Sequence, residues 1–302
     1  MKYFVKGKGG DNMILIGENI QILAKVVSNA LKERDEKPLQ DLAVKQAQAG
    51  ADYIDLNIGP ARKDPETMKW LVGVIQEVVN KPLSLDTTNP VAMEAGLSVC
   101  KIPPLINSAS GKKESKEKML PLAAKYNCDV VLSVLIDAGI PSDSSSRAEA
   151  IMESVAYANE IGIPNERIWV DPIMMPISVD QPQVVECLEF LKILPDICPG
   201  CKSTLGLSNI SNGAPEHLRG ILNRIYLAMI ERCNGFSAII DSFDEELIKL
   251  MKGKLPEIKN LIYRAMDEDV DISGLSKKEV EVVKTVNVLL GKSLYSHSWL
   301  ET

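Results

Sequence analysis

Four short apolar runs in this sequence end on a carboxylate or an amide. The runs cover residues 83–89, 105–108, 168–172 and 205–209, and the polar side chains that end them are Asp86, Asn107, Asp171 and Asn209. A side chain at the C-terminal end of a parallel strand points into a shared mouth, where barrel enzymes place their chemistry. We therefore expect the four to face one cavity rich in hydrogen-bond acceptors. Such a site suits a flat heterocycle with several N–H donors better than it suits a phosphate.

Alternating strand and helix patterns position these side chains. Candidate strands cover residues 14–17, 53–58, 83–86, 105–107, 130–135, 168–171, 203–207 and 237–241. Amphipathic stretches between them predict helices at residues 38–49, 65–79, 112–126, 144–161, 181–194 and 217–232. Eight strands separated by helices favour an α/β fold of the (β/α)8 TIM-barrel class. A doubly wound sheet is disfavoured because Gly17-Glu-Asn-Ile20 lacks the glycine-rich turn that follows the first strand of that fold.

Length, composition and charge exclude several classes of function. The 302 residues suffice for one barrel, which commonly needs about 250 residues. A net charge of −7 argues against a nucleic-acid partner, since such partners are bound by clustered Lys and Arg. No run approaches the roughly 18 apolar residues of a membrane span, and residues 1–12 lack the apolar core of a signal peptide. We expect a cytoplasmic protein that binds neither nucleic acid nor membrane.

The cysteines and the C-terminal region stand outside the alternating pattern. The six cysteines are expected to be free thiols. Cys198 and Cys201 have the spacing of half a zinc site, but no second pair exists, so no metal is expected. The sequence predicts a helical stretch after residues 241–246 and another helix from Ser276 to about residue 290, with Ser276 and Glu279 forming a capping box. This C-terminal region either closes the barrel with a surface insertion or docks a partner or a second subunit.

Seven segments, in order along the chain, resemble the pterin-binding methyltransferases that move a methyl group between tetrahydrofolate and a corrinoid protein. The segments are Ile16-Gly-Glu18, Asp55-Leu-Asn-Ile-Gly-Pro60, Leu85-Asp-Thr-Thr-Asn89, Ile106-Asn-Ser108, Val170-Asp-Pro-Ile173, Leu205-Gly-Leu-Ser-Asn-Ile-Ser211 and Asn223-Arg224. The enzymes of acetogenic bacteria that act with a corrinoid/iron–sulfur protein are the most similar members. The resemblance implies a pterin-binding barrel over residues 13–302, commonly a homodimer. Residues 1–12 would form an N-terminal extension and residues 252–281 a helical insertion.

The resemblance also implies roles for five residues. Asp86, Asn107 and Asp171 match positions that hold the pterin ring in the family. Asn209 matches the asparagine that hydrogen-bonds the methyl-bearing N5, so it is the expected catalytic residue as well as a ligand. Arg219 matches a site arginine if two residues are inserted after Asn209. The alternative for Asp86 and Asp171 is helix capping, because each begins a βα loop.

Other positions carry weaker expectations. Asn57 also lies at a predicted strand end, and we weigh a site role evenly against a place in the core or a turn. The segment Gly17-Glu-Asn-Ile-Gln21 departs from the family's Gly-Glu-Arg-Ile-Asn, so the resemblance assigns no role to Asn19 or Gln21. His217-Leu-Arg-Gly220 contains the His-x-x-Gly core of a cobalamin-binding signature, but Pro215 replaces its aspartate. The corrinoid is therefore expected to arrive on a partner protein.

Three functions remain open from the sequence. The first is methyl transfer, in either direction, between N5 of methyltetrahydrofolate and the cobalt of a corrinoid protein, with Asn209 donating a hydrogen bond to N5. No acid is evident at a strand end, so the proton would come from solvent. The second is dihydropteroate synthase, whose last strand typically ends in Arg-x-His, where this sequence has Ile239-Ile-Asp-Ser242. The third is a pterin-binding subunit without activity, which would not need a group at N5.

Overall fold

A computed structural model of the chain describes residues 13–59 and 64–301. The expected N-terminal extension, residues 1–12, lies outside the described residues. Pro60, the last residue of the second segment of the family resemblance, also lies outside them.

Eight parallel strands form one sheet that curls into a barrel. The strands are β1 (Ile14–Gln21), β2 (Tyr53–Asn57), β3 (Leu83–Asp86), β4 (Leu105–Ser110), β5 (Asp129–Ser133), β6 (Ile168–Asp171), β7 (Lys202–Ser203) and β8 (Ser237–Ile240). Their order is β7-β6-β5-β4-β3-β2-β1-β8. A parallel bridge between Gly206 and Ile239 joins the two ends, and Ile239 N donates to Leu205 O at 2.8 Å. The predicted (β/α)8 barrel is confirmed.

Helices surround the barrel and continue beyond its last strand. They are α1 (Lys25–Glu33), α2 (Glu36–Ala49), α3 (Pro65–Gln76), α4 (Pro90–Leu97), α5 (Lys113–Tyr126), α6 (Ser144–Glu160), α7 (Pro182–Ile197), α8 (Glu216–Arg232), α9 (Glu245–Met251), α10 (Pro256–Asp267) and α11 (Lys277–Leu289). The sequence patterns missed α1 and α4. Asn89 caps α4 by accepting from Val91 N at 3.0 Å, so this turn is fixed by a local side chain. No helix among the described residues is long and apolar enough to cross a bilayer.

Aromatic side chains close the N-terminal end of the barrel interior. Trp169 packs edge-to-face against Tyr53 and Phe236, with ring centroids 5.6 and 5.2 Å apart. Its Nε1 donates to Asp129 Oδ2 at 2.7 Å, and Lys202 Nζ pairs with the same oxygen at 2.9 Å. We call these five residues the floor. Because side chains alternate along a strand, a residue two positions after a floor residue faces the same interior, nearer the mouth.

The C-terminal helices form a layer against α8. Val282, Val283 and Val286 are buried in the core that α8 shares with α10 and α11. The predicted capping box is confirmed, with Ser276 Oγ accepting from Glu279 N and the Glu279 carboxylate accepting from Ser276 N at 2.8 Å. This layer lies beside the barrel mouth, where it adds a wall to the cavity described below.

Candidate functional site

Three polar residues on neighbouring strands stand in a row. Asn57 and Asp86 end β2 and β3, whereas Asn107 is the third residue of β4, which continues past the predicted end to Ser110. Asn57 pairs in register with Asp86, and Asp86 pairs with Asn107. Asn57 lies four residues after the floor residue Tyr53 on β2, so both side chains point into the barrel interior. Asn57 is the one nearer the mouth. The structure therefore brings Asp86 and Asn107 together and adds Asn57 to them.

Asp55 lies beneath this row and is hydrogen-bonded to one of its members, Asn107. It is 3% exposed and accepts hydrogen bonds from Ser84 Oγ at 2.6 Å and Asn107 Nδ2 at 3.1 Å. The bond to Asp55 engages the Asn107 amide nitrogen and leaves Asn107 Oδ1 as an acceptor for a ligand. Burial raises the pKa of Asp55 to about 6, while the two hydrogen bonds oppose the shift. Sequence reasoning missed Asp55, although it lies two residues before Asn57 on the same face.

Asp86 is held by an amide and repelled by a carboxylate. Asn57 Nδ2 donates to Asp86 Oδ2, while Asn57 Oδ1 accepts from Gly59 N at 2.9 Å. Burial raises the pKa of Asp86 well above its usual range, and the nearby charge of Asp55 raises it further. A ligand that presents N–H donors would favour the ionised form and lower that pKa.

Asp171 ends β6 and forms another part of the mouth. It pairs in register with Ser133 and accepts from Ile173 N at 2.8 Å. Arg147 supports this loop from behind, because the fully buried guanidinium donates from Nε to Pro172 O at 3.0 Å. Burial raises the pKa of Asp171 to about 6, and the charge of Arg147 partly opposes the shift.

Replacing Asp171 with asparagine should stabilise the fold at alkaline pH. Its folded pKa exceeds the ordinary 3.8, so the parent loses stability as pH rises through about 6. The shift corresponds to at most about 3 kcal/mol, and we expect about 1 kcal/mol because Arg147 also loses its favourable partner. Thermal melts at pH 5 and pH 8 should show a larger gain at pH 8.

The control for this prediction is Asp143→Asn. Asp143 caps α6, and hydrogen bonds from Ser146 lower its pKa. Ionised Asp143 therefore stabilises the fold, and its replacement should give no gain in stability at pH 8. Equal gains at pH 5 and pH 8 for Asp171→Asn would contradict the electrostatic explanation.

Asn209 lies on a turn, and the predicted strand at residues 203–207 is wrong for most of its length. Strand β7 ends at Ser203, and a 3-10 helix, Leu207–Ser211, carries the amide. Asn209 is exposed, and its Oδ1 accepts a long hydrogen bond of 3.4 Å from Asn212 Nδ2. Leu205 and Leu207 of the apolar run are buried by packing of the turn, and hydrophobicity alone does not distinguish such burial from that of a strand.

Arg219 projects from the first turn of α8 towards the same 3-10 helix. Its Nε donates to Ser211 Oγ at 3.3 Å, and its Nη1 lies 3.6 Å from Glu216 Oε2. The structure therefore places Arg219 and Asn209 on adjoining elements.

Glu18 is a mouth residue that sequence reasoning did not single out. Ser208 Oγ donates to Glu18 Oε1 at 2.6 Å. Burial raises the pKa of Glu18 to about 7, the charges of Asp241 and Asp55 raise it, and the Ser208 bond and Arg219 lower it. The available signal was its place in Ile16-Gly-Glu18, two residues after the buried Ile16 on a strand.

A cavity of about 750 Å³ opens beside the mouth, between β1, α8 and the C-terminal helices. Glu18, Ser208, Arg219 and Asp241 line its inner side, and Lys278 lies in its lining from α11. The cavity lining includes Arg219 but none of the four strand-end residues expected to share one cavity. It is therefore a side chamber of the mouth.

The cysteine pair lies away from the mouth, in the loop between α7 and β7. All six cysteines are free thiols. Cys201 N donates to Cys198 O at 3.0 Å across the Pro-Gly turn, and the thiol hydrogen bond between the pair lowers the pKa of Cys198 and raises that of Cys201. Across residues 13–59 and 64–301, no group of three or more His, Cys, Asp or Glu side chains is arranged to hold a metal ion.

Comparison with known proteins places this site in a family. A model of the pterin binding enzymes matches residues 25–229, which include β2 to β7 and most of α8. The chain belongs to the pterin-binding enzyme family. The resemblance to pterin-binding enzymes that the sequence indicated is thereby confirmed. The roles of individual residues within this pterin-binding enzyme stay predictions.

Relatives of this pterin-binding enzyme include folate and corrinoid enzymes. The methylcorrinoid:tetrahydrofolate methyltransferase of Eubacterium limosum is 32% identical over 239 residues, which are 78% of this chain and 88% of that protein. Methionine synthases of Mycobacterium leprae and Mycobacterium tuberculosis are 26% and 25% identical over 76% and 86% of this chain. The chain spans 20% and 23% of the lengths of those two synthases.

A solved structure shares the fold. The 7,8-dihydropteroate synthase from Vibrio fischeri ES114 aligns with a TM-score of 0.61 at 16% identity, over 82% of this chain and 94% of that chain. At this identity the likeness concerns the barrel alone and carries no argument about activity.

Proposed function

We propose that this pterin-binding enzyme is a methyltransferase that moves a methyl group between N5 of tetrahydrofolate and the cobalt of a corrinoid protein. The observation that carries the proposal is the 32% identity to the Eubacterium limosum enzyme over 88% of that protein's length. That relative's name gives the methylcorrinoid as the donor, and we propose the same direction here. The corrinoid is a substrate that a partner protein presents.

The row formed by Asn57, Asp86 and Asn107 supports binding of the pterin ring. A pterin presents an amino group and a ring N–H side by side, and a carboxylate accepts both in a bidentate pair. We assign one of Asp86 and Asp171 to this pair and the other to a remaining ring donor, with Asn107 Oδ1 as a further acceptor. Burial raises the pKa values of the two aspartates, and N–H donors from a bound ring would stabilise their ionised forms.

Asn209 fits the chemistry at N5. When the methyl group leaves N5 for cobalt(I), the bonding pair stays on nitrogen, which must gain a proton or a strong hydrogen bond. In the proposed direction the N5 lone pair attacks the methyl carbon and the nitrogen then loses its proton. An amide on an exposed turn can donate to N5 whenever a lone pair is available there, as the methyl group leaves or after the proton is lost, without being the proton source. Arg219 would orient the same turn through Ser211.

The remaining features belong to the same proposal. A cytoplasmic location provides the reducing conditions that cobalt(I) and free thiols require. We also propose a homodimer, and an insertion at residues 252–281 that shapes the side of the mouth on which the partner docks.

Methyl transfer to free cobalamin tests the function directly. The protein should transfer methyl from methyltetrahydrofolate to reduced cobalamin, followed as loss of the cobalt(I) absorbance, and from methylcobalamin to tetrahydrofolate. The rates should be the same with and without a chelator, because no bound metal takes part.

Different failures of this assay have different meanings. Folate binding by calorimetry without transfer in either direction would identify a pterin-binding subunit. Formation of dihydropteroate from a pterin pyrophosphate and p-aminobenzoate would identify a synthase. Absence of folate binding at millimolar ligand would contradict the proposal altogether.

A further inference from the structure

Strand β1 carries a bulge that aims Glu18 at the mouth. Its register with β2 passes from Gly17–Ile54 to Ile20–Leu56, so β1 has one extra residue there. Bulges bend a strand and re-aim a side chain, and they are frequent next to active sites. A Cβ on Gly17 would collide with Gln46 Oε1 and Ser242 Oγ, so a larger residue here would displace the two side chains that pack against the bulge.

Asn19 fixes the bulge on its other side. Its backbone N donates to Gln46 Oε1 at 3.1 Å, and its Nδ2 donates to Asp241 Oδ1 at 2.7 Å. Its Oδ1 accepts from Ser242 N at 3.1 Å. Since the backbone N–H and both side-chain polar atoms of Asn19 are engaged, the neighbouring Glu18 is held in one direction.

The Glu18 side chain points to the turn that carries Asn209. The Glu18 carboxylate accepts from Ser208 Oγ at 2.6 Å, and Ser208 is the residue before Asn209. A hydroxyl both donates and accepts. When Glu18 is protonated, the carboxyl can donate to Ser208, which frees the Ser208 O–H to point elsewhere in the mouth.

Four of the described carboxylates at the mouth are Asp55, Asp86, Asp171 and Glu18, and of these four Glu18 combines the properties of a proton carrier. Asp55 is 3% exposed and bound by Ser84 and Asn107. Asp86 and Asp171 accept the ring donors in the proposed function. Glu18 is partly exposed and lines the side chamber, so water can exchange its proton.

The charges that face Glu18 come from three elements. Asp241 follows β8 and Asp55 lies on β2, and both disfavour its ionised form. Arg219 on α8 favours that form, as does the hydroxyl of Ser208. These opposing groups, together with burial, bring the Glu18 pKa to about 7, which suits proton transfer near neutral pH.

We propose that Glu18 carries the proton exchanged with N5, relayed through the Ser208 hydroxyl or water of the side chamber. The inference rests on the proposed function. When methyl moves from the corrinoid to N5, the N5 lone pair forms the methyl–N5 bond and the methyl–cobalt bond breaks with its electron pair left on cobalt. The N5–H bond then breaks, its pair stays on nitrogen, and the proton passes to the Glu18 carboxylate. In reverse, the methyl–N5 bond breaks, its electron pair stays on N5, and the proton passes from the Glu18 carboxyl to that nitrogen.

Rapid mixing of methyltetrahydrofolate with reduced cobalamin, between pH 5.5 and 8.5, tests the proposal. The parent rate should fall as pH rises through about 7, because the protonated form of Glu18 is the active one. Glu18→Gln should be slower by about 10²-fold at pH 6 and should lose this inflection. A profile that superimposes on the parent's would overturn the proposal. A parent that transfers no methyl at any pH would instead contradict the proposed function.

Two further variants decide the question without Glu18→Gln. Ser208→Ala removes a hydrogen bond that lowers the Glu18 pKa, so the inflection should move to higher pH. Asp241→Asn removes a charge that raises it, so the inflection should move to lower pH, while Asn at this position keeps an oxygen for Asn19. Opposite shifts support Glu18 as the titrating group. Shifts in one direction, or none, would assign the inflection to another group.

Discussion

Asn209→Ala should lower the rate of methyl transfer by about 10²-fold or more, comparable to the loss of one oxyanion-hole donor. The amide would strengthen its bond to N5 as negative charge develops there, so its contribution is larger in the transition state than in the ground state. Folate affinity should fall much less. Rapid mixing with reduced cobalamin gives the rate, and calorimetry gives the affinity.

Asn212→Ala is the matched control for this effect. Asn212 is also an amide near the 3-10 helix, and it donates to Asn209 Oδ1 at 3.4 Å. Its loss should change the rate by only a few-fold, which is typical of a weak exposed hydrogen bond. If Asn209→Ala reduced binding and transfer equally, Asn209 would be a ring ligand only. If it reduced neither, its assignment would be wrong.

Asp86→Ala should weaken folate binding by roughly 1.5–3 kcal/mol, the usual range for losing a charged hydrogen-bond partner. Asp171→Ala should act similarly. The fold should tolerate Asp86→Ala, because the charge of Asp86 is repelled by Asp55 in the ligand-free protein. Calorimetric titration with tetrahydrofolate at pH 8, where the carboxylates are more fully ionised, measures the effect.

Asp137→Ala is the control that distinguishes loss of a direct contact with folate from a general change in charge near the mouth. Asp137 is an exposed carboxylate in the loop after β5, at the same end of the barrel. Its removal lowers the negative charge near the mouth without removing an acceptor from the row. Equal affinity losses for Asp86→Ala and Asp137→Ala would contradict the assignment of Asp86 as a ring ligand.

The strand-end aspartates were the part of the site that the sequence predicted well. Apolar runs that stop on Asp86 and Asp171 are ends of buried parallel strands, and the structure has both at those ends. The pattern works because both faces of such a parallel strand are covered, so a carboxylate is accommodated most easily at the strand end. Asp55, in the middle of β2, is the exception, and hydrogen bonds from Ser84 and Asn107 hold it there. The barrel followed from the alternation of such strands with helices.

The residues that were missed depend on contacts distant in sequence. Asp55 looks like a strand residue, and its importance comes from Ser84 and Asn107 on the next two strands. Glu18 depends on a bulge, which no periodicity reveals. The sequence of the turn that carries Asn209 predicts a strand because its apolar residues are buried, although they form a 3-10 helix and not part of the sheet. In each case tertiary contacts override the local pattern.

The aromatic floor links tolerance to mutation with ligand recognition. Trp169 lies two residues before Asp171 on β6, and Tyr53 lies two before Asp55 on β2. Such residues are only about 6.6 Å apart along a strand. A substitution that loosens the floor would displace the acceptors above it, although no floor residue faces the mouth. Substitutions of floor residues should therefore impair ligand binding as substitutions of the residues assigned to the ligand do.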